Sequence, residues 1–217
     1  MKADIDYSEY WERCWNEEDA EALEKWLEGW NHAGSEEIEY FKAQGVRTIC
    51  DAACGFGAHT LAFASNGFDV AAFDVSPKAV ELTRAGLARY GYGDVSVQVT
   101  SITDTGYDDE TFDAATAYAV FDHLTEDDAK RALAEMLRIV KPGGFLLLSL
   151  DAPEEDDFLC PHELLADGSM IYGAESEREG MIFRPFDDAK VVALTAGHTV
   201  ARQWRNRKGD LLVLLQK

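Results

Sequence analysis

The sequence predicts an α/β fold, in which helices cover both faces of a mostly parallel sheet of about seven strands. Short, uniformly apolar strands alternate with helical stretches after Gly45, a pattern typical of parallel strands buried on both faces. A glycine-rich turn, DAACGFGAHT at 51–60, joins the first strand to its helix. Near the C-terminus, HTVARQW and LLVLLQ flank the polar turn RNRKGD, which predicts an antiparallel hairpin as the last element.

The elements follow one another within one domain, the number that a length of 217 residues predicts. Three helical stretches come first, near 8–14, 17–27 and 35–44. Ser76 and Pro77 open the helix after the second strand, because a polar N-cap followed by proline favours a helix start. Thr125 opens a further long helix, and the last helix spans 187–196. The predicted strands are, in chain order, VRTICDA, FDVAAFD, VSVQVTS, FDAATAYAV, FLLLSL, HTVARQW and LLVLLQ.

The charge of the chain limits its partners. The 41 acidic and 20 basic residues give a formal net charge of -21, which repels a phosphate backbone and argues against nucleic acid as a substrate. No apolar run approaches the ~20 residues that a membrane-spanning helix needs, and the acidic N-terminus is unlike a signal peptide. We expect a cytoplasmic monomer or homodimer that acts on a small molecule, without a nucleic-acid or membrane partner. Four cysteines without a CxxC pair predict no disulfide framework, no zinc site and no other metal.

The glycine-rich turn predicts a ligand site. Gly55 and Gly57 allow a ligand to approach the backbone closely at the start of a helix. Asp51 at the strand tip would repel the pyrophosphate of a dinucleotide, and Thr60 stands where the dinucleotide fingerprint has its last glycine. A Walker A loop is excluded because no Gly-Lys-Ser/Thr follows.

A cationic ligand without phosphate accounts better for the acidic residues. S-adenosylmethionine (SAM) carries a sulfonium and an ammonium, which Asp51 would face. Asp74 ends the second strand, 19 residues after Gly55, and a carboxylate at about that distance can accept hydrogen bonds from ribose hydroxyls. The residues therefore predict SAM as the cofactor.

Four stretches of the chain together carry a family resemblance. They are D-x-A-C-G-x-G at 51–57, Asp74 followed by VSP, ETFDAATAYAVFDHL, and LRIVKPGGFLLLSL. They resemble class I SAM-dependent methyltransferases of the small-molecule group that includes quinone-biosynthesis and tellurite-resistance enzymes. The resemblance implies a Rossmann-like sheet of order 3-2-1-4-5-7-6 with strand 7 antiparallel. It also implies an N-terminal helical lid at 1–45 and a SAM-binding domain at 46–217 with a substrate-side insertion at 151–185.

The motifs assign most of the SAM site by position. Ala53 replaces the usual first glycine of the turn, and Ser101 stands where the family commonly has an acidic residue that contacts adenine. Serine can accept the same bond, or Asp104 can supply it. The N-terminal aromatic residues either pack in the core or touch the methionine end of the cofactor. The predicted cofactor-binding residues are Asp51, Ala53, Gly55, Gly57, Asp74, Val75, Ser101, Ile102, Tyr118, Trp11 and Trp15.

The catalytic and acceptor-binding residues are predicted separately. His123 is the candidate general base, because an unperturbed imidazole titrates near neutral pH; the alternative is that it caps or packs the following turn. Asp122 is a lesser candidate. Tyr10, Tyr172 and Arg184 are predicted to bind the acceptor, with Arg178 and Met181 facing the same pocket. The two arginines suggest an acceptor carboxylate, whereas surface salt bridges are the alternative.

The predicted function is methyl transfer from SAM to a small molecule through a nitrogen, oxygen or sulfur nucleophile. One alternative is a methyltransferase for arsenic, tellurium or selenium species, which would favour clustered thiolates. Another is a non-catalytic SAM-binding regulatory module. An NAD-dependent oxidoreductase is disfavoured by Asp51 and Thr60.

Overall fold

The computed structural model describes residues 6–17 and 20–217. Its main sheet has seven strands in the order β3-β2-β1-β4-β5-β10-β9. Strands β1 to β5 pair in parallel, whereas β10 is antiparallel to both β5 and β9. Strands β9 and β10 correspond to the predicted strands 6 and 7. The predicted fold class and the predicted order 3-2-1-4-5-7-6 are thus confirmed. The strands of this sheet are β1 (Thr48–Ala52), β2 (Asp69–Asp74), β3 (Ser96–Val99), β4 (Phe112–Tyr118), β5 (Val140–Leu150), β9 (Thr199–Arg205) and β10 (Leu211–Gln216).

Side-chain caps fix the start of several helices. Ser76 accepts a hydrogen bond from the backbone N–H of Ala79, with Pro77 in the first turn, and Thr125 accepts one from Asp128. Both starts match the sequence prediction. The two side chains fix the starts because they satisfy N–H groups that the helix leaves unpaired. The helices are α1 (Tyr7–Asn16), α2 (Ala20–Leu27), α3 (Ser35–Ala43), α4 (Ala58–Ser65), α5 (Pro77–Arg89), α6 (Glu126–Ile139), α7 (Glu155–Leu159) and α8 (Asp188–Leu194).

The core lies on both faces of the main sheet. Along β1, Cys50 and Ala52 pack in the cluster with α6 and α8, whereas Ile49 packs in the cluster with α3 and α4. This alternation follows from the two-residue period of a strand. Phe41 and Phe63 are fully buried in the second cluster, and burying such a side chain contributes about 1.5–3 kcal/mol.

The insertion after β5 forms a second, smaller sheet. Its strands are β6 (His162–Leu164), β7 (Met170–Tyr172) and β8 (Ile182–Phe183), in the order β6-β7-β8. Strands β7 and β8 pair antiparallel, with Met170 opposite Phe183 and Ile171 opposite Ile182. Across the described residues, no helix is both long enough and apolar enough to cross a bilayer.

Asp113 joins three neighbouring strands of the main sheet. Its carboxylate accepts the N–H groups of Arg47 and Thr48 at 2.9 and 3.0 Å and pairs with the Lys141 ammonium at 2.8 Å. Partial burial opposes ionisation, but the hydrogen bonds from Lys141 and from the two backbone groups outweigh it and lower the pKa of Asp113 to about 2. The role of Asp113 is therefore to anchor β4 to β1 and β5.

Replacing this carboxylate tests the anchor. Because the folded-state pKa lies below the unfolded value, the stabilisation is complete above pH 4 and is lost as the pH falls through about 2. Asp113→Asn is expected to lower the free energy of unfolding in urea by about 1–2 kcal/mol at pH 7. The difference from the parent should shrink between pH 4 and pH 2. The control Asp109→Asn, whose side chain is 75% exposed, should change stability by less than about 0.5 kcal/mol, and an equal loss in both variants would contradict the anchoring role.

Candidate active site

A cavity of about 840 Å³ opens at the C-terminal ends of β1, β2, β4 and β5. The strand register brings these ends together: Asp51 of β1 is level with Ala72 of β2 and Thr116 of β4. The glycine turn, the loop after β3, the turn after β4 and helix α1 complete the walls. This edge of an open α/β sheet is where ligands generally bind.

The turn after β1 adopts the left-handed backbone conformation at three alternate positions. The φ angles of Ala53, Gly55 and Gly57 are 53°, 56° and 86°. Ala53 and Gly55 line the cavity, and a Cβ on Gly55 would lie 3.1 Å from the Trp15 ring. Gly57 is not among the lining residues; a Cβ there would lie 2.8 Å from Thr83. Glycine at 57 is thus required by the packing of α4 against α5.

Asp51 is a buried carboxylate in the cavity wall. Its side chain accepts the Thr60 hydroxyl at 2.6 Å and the Thr116 hydroxyl at 2.9 Å. Burial raises the pKa of Asp51 to about 6, and the two hydroxyls only partly offset this effect. Thr60 therefore supports the acidic residue in this turn, at the position where a dinucleotide-binding turn has glycine.

Asp74 holds the rim of the cavity between the turn and α5. One carboxylate oxygen accepts the Gly55 N–H and the other accepts the Ser76 N–H, each at 2.9 Å. Burial raises the pKa of Asp74, opposed by these backbone hydrogen bonds. Each oxygen keeps a second lone pair, so the carboxylate can still accept hydroxyl donors from a ligand. Val75 also lines the cavity.

The loop after β3 supplies the next part of the wall. Ser101 and the buried Ile102 line the cavity together with Thr103. The Ser101 hydroxyl lies 2.9 Å from the Thr103 hydroxyl. Asp104, the alternative adenine contact, is exposed and is not among the lining residues.

Helix α1 crosses the mouth of the cavity and is attached at two points, near its start and at its middle. Trp11, Trp15 and Tyr7 line the cavity. The Tyr7 hydroxyl donates to the Asp128 carboxylate at 2.6 Å at the start of α6. The Glu12 carboxylate accepts hydrogen bonds from the Ser76 hydroxyl and the Lys78 N–H at the start of α5. The sequence prediction included the two tryptophans but not the side chains that attach the helix.

Tyr118 and His59 form an aromatic wall at the tip of β4. Their rings stack at a centroid distance of 3.7 Å and an interplanar angle of 5°. Burial lowers the pKa of His59 to about 4, so its imidazole is neutral at pH 7. Ala119 follows with a φ of 50° and also faces the cavity. The residue pattern of the glycine turn does not predict His59 as a site residue, because its place in the wall depends on stacking with Tyr118, which is distant in sequence.

His123 is oriented by a backbone carbonyl. Its Nδ1 lies 2.9 Å from the Ile182 oxygen. A carbonyl can only accept, so Nδ1 carries the hydrogen and Nε2 of the neutral ring keeps a free lone pair. The Trp11 ring packs edge-on against the imidazole at 4.9 Å, and His123 lines the cavity. The local geometry is compatible with a general base.

Two charged residues that the sequence analysis did not select lie in the same part of the cavity. Asp151 directly follows β5, and Lys208 lies in the turn between β9 and β10. Both residues line the cavity. The pairing of Leu211 with Leu150 brings that turn beside Asp151. Burial and the neighbouring Asp122 raise the pKa of Asp151 to about 6.

The predicted acceptor-binding residues of the insertion are not in the cavity wall. Tyr172 is 1% exposed, packs with Met170, Met181 and Phe183, and donates its hydroxyl to the Asp157 carbonyl at 3.0 Å. Tyr10 packs against the same cluster. These side chains form the small core that holds the second sheet together, so the prediction that they face the acceptor is wrong.

The two arginines are also absent from the cavity wall. Arg184 is 5% exposed and places its guanidinium 4.9 Å from the centre of the Phe186 ring. Arg178 pairs with the Asp157 carboxylate at 2.5 Å. Neither guanidinium lies in the cavity wall, where an acceptor carboxylate would bind, and the salt-bridge alternative holds for Arg178.

Comparison with known proteins relates the middle of the chain to methyltransferases. Residues 49–144 match the family of the methyltransferase domain. A glycine/sarcosine N-methyltransferase from Aphanothece halophytica is 32% identical over 134 residues, which are 58% of this chain and 51% of the relative. A demethylmenaquinone methyltransferase from Clavibacter sepedonicus is 35% identical over 102 residues, 46% and 39% of the two chains. The chain thus spans about half, or less, of the length of these curated relatives.

The fold also matches solved structures. A Burkholderia thailandensis 1,6-didemethyltoxoflavin-N1-methyltransferase, solved with 1,6-didemethyltoxoflavin and S-adenosylhomocysteine bound, superposes with a TM-score of 0.70 at 18% identity. The match covers 100% of this chain and 93% of that one. Residues 49–144 are therefore similar to a methyltransferase domain, and the chain has the fold of SAM-dependent methyltransferases, as its motifs predict.

Proposed function

We propose that the protein transfers a methyl group from SAM to a small-molecule acceptor through a nitrogen, oxygen or sulfur nucleophile. The observation that carries the proposal is the pair of buried carboxylates, Asp51 and Asp74, that lines one cavity beside the glycine turn. Carboxylates favour a cationic, hydroxyl-rich ligand over a phosphate. The volume of about 840 Å³ lies within the range of cofactor and ligand pockets.

The residues present fit the cofactor. The free lone pairs of Asp74 would accept the ribose hydroxyls, and Asp51 would face the cationic methionine end. Ile102 and Ser101 would contact the adenine, while Trp11 and Trp15 would cover the cofactor from α1. We infer on this basis that the segment 1–45 acts as a lid on the domain at 46–217.

When bound, SAM supplies a methyl group already activated by its sulfonium. The protein then has to align the nucleophile and exclude water. The Tyr118–His59 stack and Ala119 form the wall where the acceptor would meet the methyl group. His123 would accept the acceptor proton at Nε2, while the Ile182 carbonyl holds the opposite ring nitrogen.

The metalloid alternative finds little support in the cavity. Of the four cysteines, all within the described residues, only Cys54 is in the cavity wall. Burial raises the pKa of the Cys54 thiol well above its usual range, which keeps it protonated and a poor ligand for soft metalloids. A regulatory module without catalysis would need no oriented histidine at the acceptor end.

Removing the Asp74 carboxylate tests the cofactor assignment. Asp74→Ala is expected to weaken SAM binding by roughly 30-fold or more, because it loses charge-assisted hydrogen bonds to the ribose. Calorimetric titration measures the affinity, and circular dichroism checks the fold. The control is Asp69→Ala at the exposed start of β2, which should bind SAM like the parent. Unchanged affinity in a folded Asp74→Ala variant would contradict the proposed ribose contact.

The pKa of Asp51 predicts a pH dependence of SAM binding. Below pH 6 most of the free protein carries a proton on Asp51, which must leave before a cation binds, so affinity should fall roughly tenfold between pH 7.5 and pH 5. Asp51→Asn should weaken binding at pH 7.5 and flatten this dependence. Thr116→Val removes a hydrogen bond that lowers the pKa, so it should move the midpoint to higher pH. A parent protein with constant affinity from pH 5 to pH 7.5 would contradict the role of Asp51.

His123→Ala tests the proposed base. Turnover, measured as S-adenosylhomocysteine formed, should fall by roughly 100-fold, whereas the affinity for SAM should change much less. His162→Ala is the matched control, because the His162 Nδ1 also lies against a backbone carbonyl, at 2.7 Å, but this residue is not in the cavity wall. Equal turnover in the parent and in His123→Ala would leave His123 with a packing role only.

A further inference from the structure

The acceptor end of the cavity holds two opposite charges without partners. Within the described part of the chain, neither the Asp151 carboxylate nor the Lys208 ammonium takes part in a side-chain hydrogen bond or salt bridge, although both line the cavity. They are near enough for Lys208 to lower the pKa of Asp151, but they do not contact each other. Unpaired charges that share a partly closed cavity favour a ligand that carries both complementary charges.

Asp122 is a second, independent sign of a ligand at this end. The residue is 0% exposed and lies next to the cavity wall rather than in it, and its Oδ1 has no hydrogen-bond partner among the described residues. Its other oxygen accepts only a long hydrogen bond of 3.4 Å from the Asp151 N–H. Single ligand atoms of Asp122, His123 and Asp151 lie within 4.8 Å of one another. A buried carboxylate oxygen without a donor is costly, and a cation held by the neighbouring Asp151 would offset part of that cost.

We propose that the methyl acceptor is a small primary or secondary amine that also carries a carboxylate, with its ammonium held by Asp151, next to the buried Asp122, and its carboxylate held by Lys208. This inference rests on the proposed methyl transfer and selects nitrogen among the possible nucleophiles. A neutral alcohol or thiol would bring no positive charge to the two neighbouring carboxylates. Lys208 takes the role that the sequence analysis gave to the arginines of the insertion.

The same groups account for the chemical step. The bound ammonium gives one N–H proton to Nε2 of His123, which frees the nitrogen lone pair. That lone pair forms a bond to the methyl carbon while the carbon–sulfur bond breaks and its electron pair stays on sulfur. The products are the N-methylated ammonium and S-adenosylhomocysteine, and the His123 proton passes to solvent. His59, neutral at pH 7, does not compete with the ammonium for the carboxylates.

A substrate panel tests the class of acceptor. Methyl-labelled SAM is supplied with four kinds of compound: amino acids such as glycine, sarcosine and β-alanine; ethylamine; glycolate; and catechol. We expect label to enter the amino-acid arm, at least tenfold faster than ethylamine and without label in glycolate. Label in catechol or glycolate but not in any amine would overturn the inference and leave the proposed methyl transfer intact. Absence of both SAM binding and S-adenosylhomocysteine formation would instead contradict the proposed function itself.

Binding provides a readout that does not depend on turnover. The amino acid labelled best, or glycine if none is labelled, is titrated into the protein saturated with S-adenosylhomocysteine. Lys208→Met should weaken this binding about tenfold, since the lysine is partly screened by solvent, and Asp151→Asn should weaken it more. The matched controls are Arg207→Met in the same turn and Asp156→Asn in α7, both exposed, which should bind like the parent. Equal affinity in Lys208→Met and Arg207→Met would overturn the role of Lys208.

A divalent cation is the competing occupant of the three-residue cluster. The protein is therefore titrated with Mn²⁺ alone and assayed with and without a chelator. We expect no stoichiometric binding and unchanged turnover after chelation. Stoichiometric Mn²⁺ binding that Asp122→Asn abolishes, together with loss of turnover in chelator, would overturn the assignment of an ammonium to this cluster.

Discussion

The Asp74 carboxylate connects the two backbone segments that form the rim of the cavity. It accepts the Gly55 N–H from the turn after β1 and the Ser76 N–H from the start of α5. The Ser76 hydroxyl in turn donates a hydrogen bond to the Glu12 carboxylate of α1. One buried side chain thus sets the distance between the turn, the second strand and the helix over the cavity mouth. The ligand-facing geometry depends on this network, because each partner would otherwise be free to move with its own loop.

The cavity combines two acidic regions with different surroundings. Asp51 is satisfied by two threonine hydroxyls, so its site is organised before any ligand binds. Asp122, which lies next to the cavity wall rather than in it, lacks such partners on one oxygen, so the charge near Asp151 is left unsatisfied by the protein itself. A net charge of -21 gives the whole surface a general attraction for cations. The two acidic regions differ from each other in the hydrogen-bond partners of Asp51 and Asp122.

The sequence was most informative where regular periodicity and strand ends determine position. Asp51 and Asp74 were predicted at adjacent strand tips, and the structure brings them into one cavity. The insertion was less predictable, because β7 and β8 have only three and two residues, too few for alternation to show which side faces the core. The side chains of Tyr172 and Arg184 are buried, whereas the sequence predicted that they face the acceptor. Lys208 could be located only through the register of β10 against β5, which local sequence patterns do not specify.

Ala53 and Ala119 have consequences for the thermodynamics of ligand capture. Both have positive φ angles on the cavity wall, a conformation that costs a residue with a Cβ roughly 1–2 kcal/mol and that glycine adopts freely. The methyl groups also restrict the backbone dihedrals around this strained shape. The two alanines thus lower the free energy of unfolding and make the rim of the cavity more rigid. A rigid rim loses less conformational entropy when a ligand binds.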